Sequence, residues 1–214
     1  GWIDTGATDG LTWPMRGAPI AVRSPTQEIT QRTVIEYFAN DSQRFFITAR
    51  PAEQQRLDAT PARFTRTGMQ FGAFDGTVVA PDSGSVAEAG LPQPPFSAAG
   101  AVPICRFFAS PTRGGSNTHF YGRRTDCQIL NTVKGLTNEG HDFAAQPPIA
   151  GVCPAHAPNP VFRLFNNKSA SNNGNHRYVV AVARVNEMKA LGWLDEGIAF
   201  CAISATDSRA FGQW

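Results

Sequence analysis

Residues 103–145, PICRFFASPTRGGSNTHFYGRRTDCQILNTVKGLTNEGHDFAA, lie over residues 160–202, PVFRLFNNKSASNNGNHRYVVAVARVNEMKALGWLDEGIAFCA, when the chain is shifted by 57 positions without a gap. Ten residues coincide. Pro103, Arg106, Phe108, His119, Tyr121, Gly135, Glu139, Gly140, Phe143 and Ala145 become Pro160, Arg163, Phe165, His176, Tyr178, Gly192, Glu196, Gly197, Phe200 and Ala202. Average usage gives roughly two or three matches over such a stretch, so the sequence reads as an internal duplication. A third, more divergent copy precedes it. Val34-Ile35-Glu36-Tyr37-Phe38 matches Ile104-Cys105-Arg106-Phe107-Phe108, Arg44-Phe45-Phe46 stands for His119-Phe120-Tyr121, and Thr67-Gly68-Met69-Gln70-Phe71 stands for Glu139-Gly140-His141-Asp142-Phe143. Three units then span 33–74, 103–145 and 160–202.

Each unit has one grammar. An apolar run such as Val161-Phe162-Arg163-Leu164-Phe165 reads as a strand. A polar loop follows, Asn166 to Asn175 in the third unit, with the Asn, Ser and Gly of turns. Arg177-Tyr178-Val179-Val180 is a second strand. A short helix comes next, with apolar Val182, Val185, Met188 and Leu191 and a stop at Gly192. The second unit offers Cys127, Leu130 and Val133 with a stop at Gly135, and in the first Pro51 suits an opening helical turn. A closing strand, Ile198-Ala199-Phe200-Cys201, completes β-β-α-β. The expected fold is a strand-dominated α+β domain of three such repeats around a pseudo-threefold axis, because a unit this small buries too little alone. Residues 31–214 form that domain, 75–100 is a Gly/Pro-rich linker, and 1–30, lacking periodicity, is an extended N-terminal arm.

Composition agrees. The 214 residues include 20 Gly, 16 Pro and 15 Phe, while 17% are charged, against roughly 25% in an ordinary soluble domain. A net charge of +2 argues against a nucleic-acid partner, and no apolar stretch approaches the ~18 residues of a membrane span. The basic residues are 16 Arg and 3 Lys. Arg forks suit carboxylates and planar polar ligands, although genomic base composition is the simpler cause. The opening Gly1-Trp2 reads as a mature or trimmed product.

The segments VPICRFF…NTHFYGRRTDC, VFRLFNN…NHRYVVAVARVNEMKALGWLDEGIAFCA and VIEYFANDSQRFFITARPAEQQRLD…RTGMQF resemble a bacterial repeat family of unknown function. The resemblance covers about 33–202. It implies a secreted protein, because the repeat is found appended to extracellular hydrolase or adhesin-like regions, and it attaches no activity. The pattern departs here in places: Gly192-Trp193 keeps a Gly-Trp pair that Gly135-Leu136 lacks, and the first unit has Arg44 for the His and Thr67 for the Glu.

Cys105, Cys127, Cys153 and Cys201 show no CxxC or zinc spacing. Two disulfides in an oxidising compartment is the simplest reading. Of the three pairings, 105–127 and 153–201 need no contact between units and are expected.

The candidate binding residues are those that recur: Arg106, His119, Tyr121, Glu139, Arg163, His176, Tyr178 and Glu196. Arg106 with Glu139 and Arg163 with Glu196 read either as internal salt bridges or as a polar clamp. Glu36 with Arg66 would be their sign-reversed counterpart. His119 and His176 are either structural, each bonding the Glu of its unit, or ligand-facing. Trp2, Trp13 and Trp214 are candidate stacking or interface residues outside the repeats. There is no GxSxG, HExxH, P-loop or Rossmann pattern, so no catalytic residue, metal or cofactor is expected. The expected function is a secreted, non-catalytic binding module for a polysaccharide or cell-surface ligand. The alternative is a structural subunit of an extracellular filament or sheath, docked to neighbouring subunits by its arm.

Overall fold

The computed structural model describes residues 31–75 and 100–203; the arm, most of the linker, the C-terminal residues and all of Trp2, Trp13 and Trp214 lie outside the described residues. The elements run β1 (Gln31–Ala39), β2 (Arg44–Thr48), α1 (Pro51–Asp58), β3 (Phe64–Asp75); β4 (Val102–Ala109), β5 (Thr118–Gly122), α2 (Arg124–Leu130), β6 (Leu136–Ala145); and β7 (Asn159–Phe165), β8 (His176–Val179), α3 (Val182–Ala190), β9 (Leu194–Ala202). Strands dominate, as the sequence indicates.

All pairing is antiparallel. One sheet has the order β2-β1-β3-β6-β4-β5 and the other β8-β7-β9. The first strand of each segment is therefore a centre strand, covered on both edges. Val34 to Tyr37 and Ile104 to Phe107 are buried without alternation, including the charged Glu36 and Arg106 within these otherwise apolar runs. The far ends of the closing strands converge. Phe74 pairs with Ala144 across β3 and β6, and isolated bridges join Gly72 to Ile203 and Gln146 to Cys201. At that convergence Phe71, Phe143 and Phe200 form a closed triangle, with ring centroids 5.9, 6.0 and 5.4 Å apart. Val34, Ile104, Val161, Ile47, Tyr121 and Tyr178 belong to the same buried cluster.

The second strands also meet at this core, with Tyr121 and Tyr178 packed on the rings of Phe143 and Phe200. Tyr178 Oη accepts from the Tyr121 amide and donates to its carbonyl, both at 2.8 Å. Tyr121 Oη in turn accepts from the Ile47 amide and donates to the Ile47 carbonyl. Buried backbone groups are thus satisfied by tyrosines that stay inside.

Disulfides join Cys105 to Cys127 and Cys153 to Cys201, as expected. The first pins α2 to β4 and the second ties the 151–153 loop to β9, each contributing roughly 2–4 kcal/mol.

The helices depart from expectation in detail. In α3, Val185 and Met188 are buried, but Val182 and Leu191 are 57% and 75% exposed, so its core stripe is two residues rather than four. Helix α2 stops at Leu130, before Val133 and well before Gly135. Pro51 opens α1 as anticipated. The alignment of the first segment also shifts by one. Phe45 pairs with Phe38, as His119 does with Phe108 and His176 with Phe165. Phe45, not Arg44, thus occupies the histidine position, and Ile47 occupies the tyrosine position.

Candidate functional site

Each closing strand carries a bulge, and the bulge builds the site. Register shifts fall between Cys105 and Phe107 on β4 and between Phe162 and Leu164 on β7. The extra residues opposite are Glu139-Gly140 and Glu196-Gly197. Gly140 and Gly197 have φ of 80° and 84°, a left-handed conformation that a bulge reserves for glycine. Asn138 Oδ1 and Asp195 Oδ1 accept from those glycine amides at 2.8 and 2.9 Å. The Glu-Gly pair recurs because this geometry delivers a carboxylate back over the centre strand.

There Glu139 Oε2 meets Arg106 Nε at 2.7 Å and His119 Nε2 at 3.3 Å. Arg106 Nη1 also donates to Asp142 (2.9 Å) and to Glu53 Oε2 (2.5 Å), the latter from α1. Asp142 accepts from the Ala49 amide at 2.7 Å and faces Arg50 at 3.7 Å. Arg50 Nη2 spans the bulge, donating to the carbonyls of Glu139 (2.6 Å) and His141 (3.2 Å). Burial raises Glu53, but the bond to and charge of Arg106, with help from Thr48 and Arg50, hold it below the usual carboxylate range. Glu139 likewise sits low, burial being outweighed by His119 and Arg106. For Asp142 burial wins, and its carboxyl is raised.

The second cluster is simpler. Arg163 Nε donates to Glu196 Oε2 at 2.7 Å, with His176 Nε2 3.6 Å away. His176 stacks on Phe165 (4.8 Å) and meets the edge of Phe120 (5.1 Å). The guanidinium of Arg163 lies 4.7 Å over the Phe120 ring. Burial and then Arg163 push His176 down to about 4, so the ring is neutral at physiological pH, and its buried Nδ1 has no hydrogen-bond partner. His119 has matching neighbours, Phe108 at 4.8 Å and Phe46 at 5.4 Å.

The first segment differs from expectation. Glu36 does not face Arg66, which pairs with Asp58 at 2.7 Å. It is wholly buried and accepts a bidentate fork from Arg177, 2.9 and 2.8 Å, across 141 residues. Thr67 Oγ1 adds a third bond to Glu36. Arg177 lies 3.9 Å over the ring of Phe45.

Of the eight candidates, Tyr121, Tyr178 and Arg106 are 0%, 2% and 3% exposed. Their polar groups are engaged inside. His119, Glu139, Arg163, His176 and Glu196 keep 18–32% of their side chains at the surface. Arg50, Glu53, Asp142 and Arg177 are participants that the sequence pattern does not mark. Asp142 has one signal, since alternation puts it opposite its exposed neighbour His141. Among the described residues no group of His, Cys, Asp and Glu is placed to hold a metal ion.

Residues 103–211 match the family model of a domain of unknown function, DUF5648. The chain belongs to this family. The DUF5648 match takes in both disulfides and the Arg106–Glu139 and Arg163–Glu196 pairs, while β1, β2, α1 and β3 lie before it. Glu53, Arg50 and Glu36 thus reach the family region from outside. No curated protein and no solved structure matches the chain. Among the described residues, no helix is long and apolar enough to cross a membrane.

Proposed function

We propose that the chain is three β-β-α-β repeats around a pseudo-threefold axis and serves as a secreted, non-catalytic binding module for a glycan or another cell-surface polymer. The repeat reading is supported by matched core triplets, Val34/Ile104/Val161 and Phe71/Phe143/Phe200, and by the tyrosine links from Tyr178 to Tyr121 to Ile47. Two disulfides suit an oxidising, extracellular setting.

The binding reading is carried by the two bulge carboxylates. Glu139 Oε2 lies beside Arg106 and His119, Glu196 Oε2 accepts from Arg163 with the neutral His176 ring 3.6 Å away, and no described hydrogen bond falls on either Oε1. Their side chains are 27% and 32% exposed, and they lie in clusters with the half-buried rings of Phe108 and Phe165. A held carboxylate beside an aromatic face accepts from a sugar hydroxyl while the ring covers the sugar's apolar side. Two weak sites on one rigid body gain by avidity on a polymer.

Affinity electrophoresis in gels containing neutral and acidic polysaccharides tests this. The wild type is expected to be retarded by at least one polymer, Glu139→Gln and Glu196→Gln each to lose part of the retardation, and the double variant to lose it. A wild type that migrates freely through every gel refutes the binding reading.

A structural subunit is the second reading. It is favoured by exposed apolar residues, Ile149, Val152 and Leu191, at 70%, 67% and 75%. Light scattering decides it: mass rising with concentration is expected for a subunit, and a monomer throughout sinks it.

A further inference from the structure

Between β3, β8 and the start of α3 lies a cavity of about 390 Å³, lined by Thr67, Met69, Gln70, Val180, Ala181 and Arg184 among others. Its counterpart elsewhere in the fold is filled. Thr48-Ala49-Arg50 leads into α1 as Val179-Val180-Ala181 leads into α3, with Arg50 and Ala181 each at the residue just before the helix. Across from Arg50 is the bulge Glu139-Gly140, and across from Ala181 is Thr67-Gly68, where Gly68 has the same left-handed turn (φ 85°). Arg50 crosses its gap to the carbonyls of Glu139 and His141 and to Asp142. Ala181 has no side chain to do so, and Gln70 stands in the place of Asp142.

We propose that this cavity is a socket for an arginine side chain presented by a partner polypeptide. The inference rests on the pseudo-threefold reading and is independent of glycan binding. The incoming guanidinium takes the place that Arg50 occupies at the other junction, donating to the carbonyls of Thr67 and Met69, with its stem against Met69 and Val180. Two arginines already line the socket, and each has a carboxylate partner of its own. Arg177 is tied to the buried Glu36 at 2.9 and 2.8 Å, and Arg184 is held by Glu187 at 2.6 Å. Arg50 itself stands beside Arg106 with Asp142 between them, the carboxylate that Gln70 does not supply here. A planar fork suits two carbonyls on one strand edge better than the compact lysine ammonium. Because Gln70 is neutral, the socket binds more weakly than the intramolecular site that Arg50 fills.

The probe is N-acetyl-arginine amide, titrated into the full chain and followed by amide NMR shifts. Saturable shifts at Met69, Gln70 and Ala181 are expected, with N-acetyl-lysine amide binding several-fold more weakly. Ala181→Arg fills the socket with its own side chain and is expected to abolish the shifts while keeping its thermal midpoint and both disulfides. Gln70→Asp restores the carboxylate and is expected to tighten binding about tenfold, the scale of one charge-assisted hydrogen bond. Absence of saturation, shifts that persist in Ala181→Arg, or equal binding of the lysine probe overturns the proposal. Glu139 and Glu196 lie outside the cavity, so polysaccharide retardation succeeds or fails separately from these titrations.

Discussion

Arg106→Ala is expected to destabilise the protein by about 3–5 kcal/mol at pH 7. The guanidinium is the hub of a buried network, touching Glu53, Glu139 and Asp142 at 2.5–2.9 Å. Removing it leaves three carboxylates facing one another, with Arg50 the remaining nearby guanidinium. The loss has a pH signature. Glu53 and Glu139 are held low in the folded state, so the stability they supply is complete above about pH 4.5 and disappears as pH falls through their folded values. The variant has already forfeited most of that stability. Asp142 runs the other way: its raised carboxyl makes ionisation costly to the fold, more so without Arg106, and acid relieves that cost. The Asp142 contribution narrows the gap between wild type and variant as pH drops from 7, and the Glu53 and Glu139 contributions add to it below about pH 4.5, so the gap is smaller at pH 4 than at pH 7. Urea melts at the two pH values measure it. A gap below 1 kcal/mol at pH 7, or one that widens in acid, contradicts this account.

Phe143→Ala is expected to cost a similar 3–5 kcal/mol by a different route. Phe143 is fully buried and contacts Phe71, Phe200 and Tyr121, at centroid distances of 5.9, 5.4 and 6.4 Å. Its partners come from all three segments, so the void cannot close by moving one of them alone. A Tm lower by roughly 6–20 °C follows for a domain of this size. Ile149→Ala, at a site 70% exposed, is the control and is expected to stay within about 0.5 kcal/mol. A Phe143→Ala melt indistinguishable from this control removes the triangle from the core.

Much of the architecture is legible in the sequence because local chemistry encodes it. Pro51 opens a helix, and the cysteine positions in and just before the segments anticipate both disulfides, whereas the bulge behind the recurring Glu-Gly pair shows only in the ladder register. What escapes reading is long-range. The first segment turns tightly after β1, with the Gln43 amide bonding back to the Ala39 carbonyl. The corresponding connections after β4 and β7 are longer and each includes a 3-10 turn. Aligning across that difference misplaces β2 by one residue, and only ladder register corrects it. The site shows the same limit. Arg106–Glu139 and Arg163–Glu196 recur in step and can be paired by pattern. Glu53 and Asp142 join Arg106 without any recurring counterpart in the sequence. The partner of Glu36 is found on another segment, so the pairing with Arg66 suggested by their order within one segment fails.

The bond between Glu36 and Arg177, 141 positions apart in the chain, has a consequence for how the chain is made. During synthesis the amino-terminal strands emerge long before the guanidinium that neutralises Glu36. The bridge from Gly72 to Ile203 arrives later still. An incomplete chain therefore presents an unpaired acid where the finished molecule has a dry interior, so stable docking of the first strands is postponed until the last ones arrive. Assembly becomes nearly all-or-none, and nascent or truncated chains are the species most in need of a chaperone.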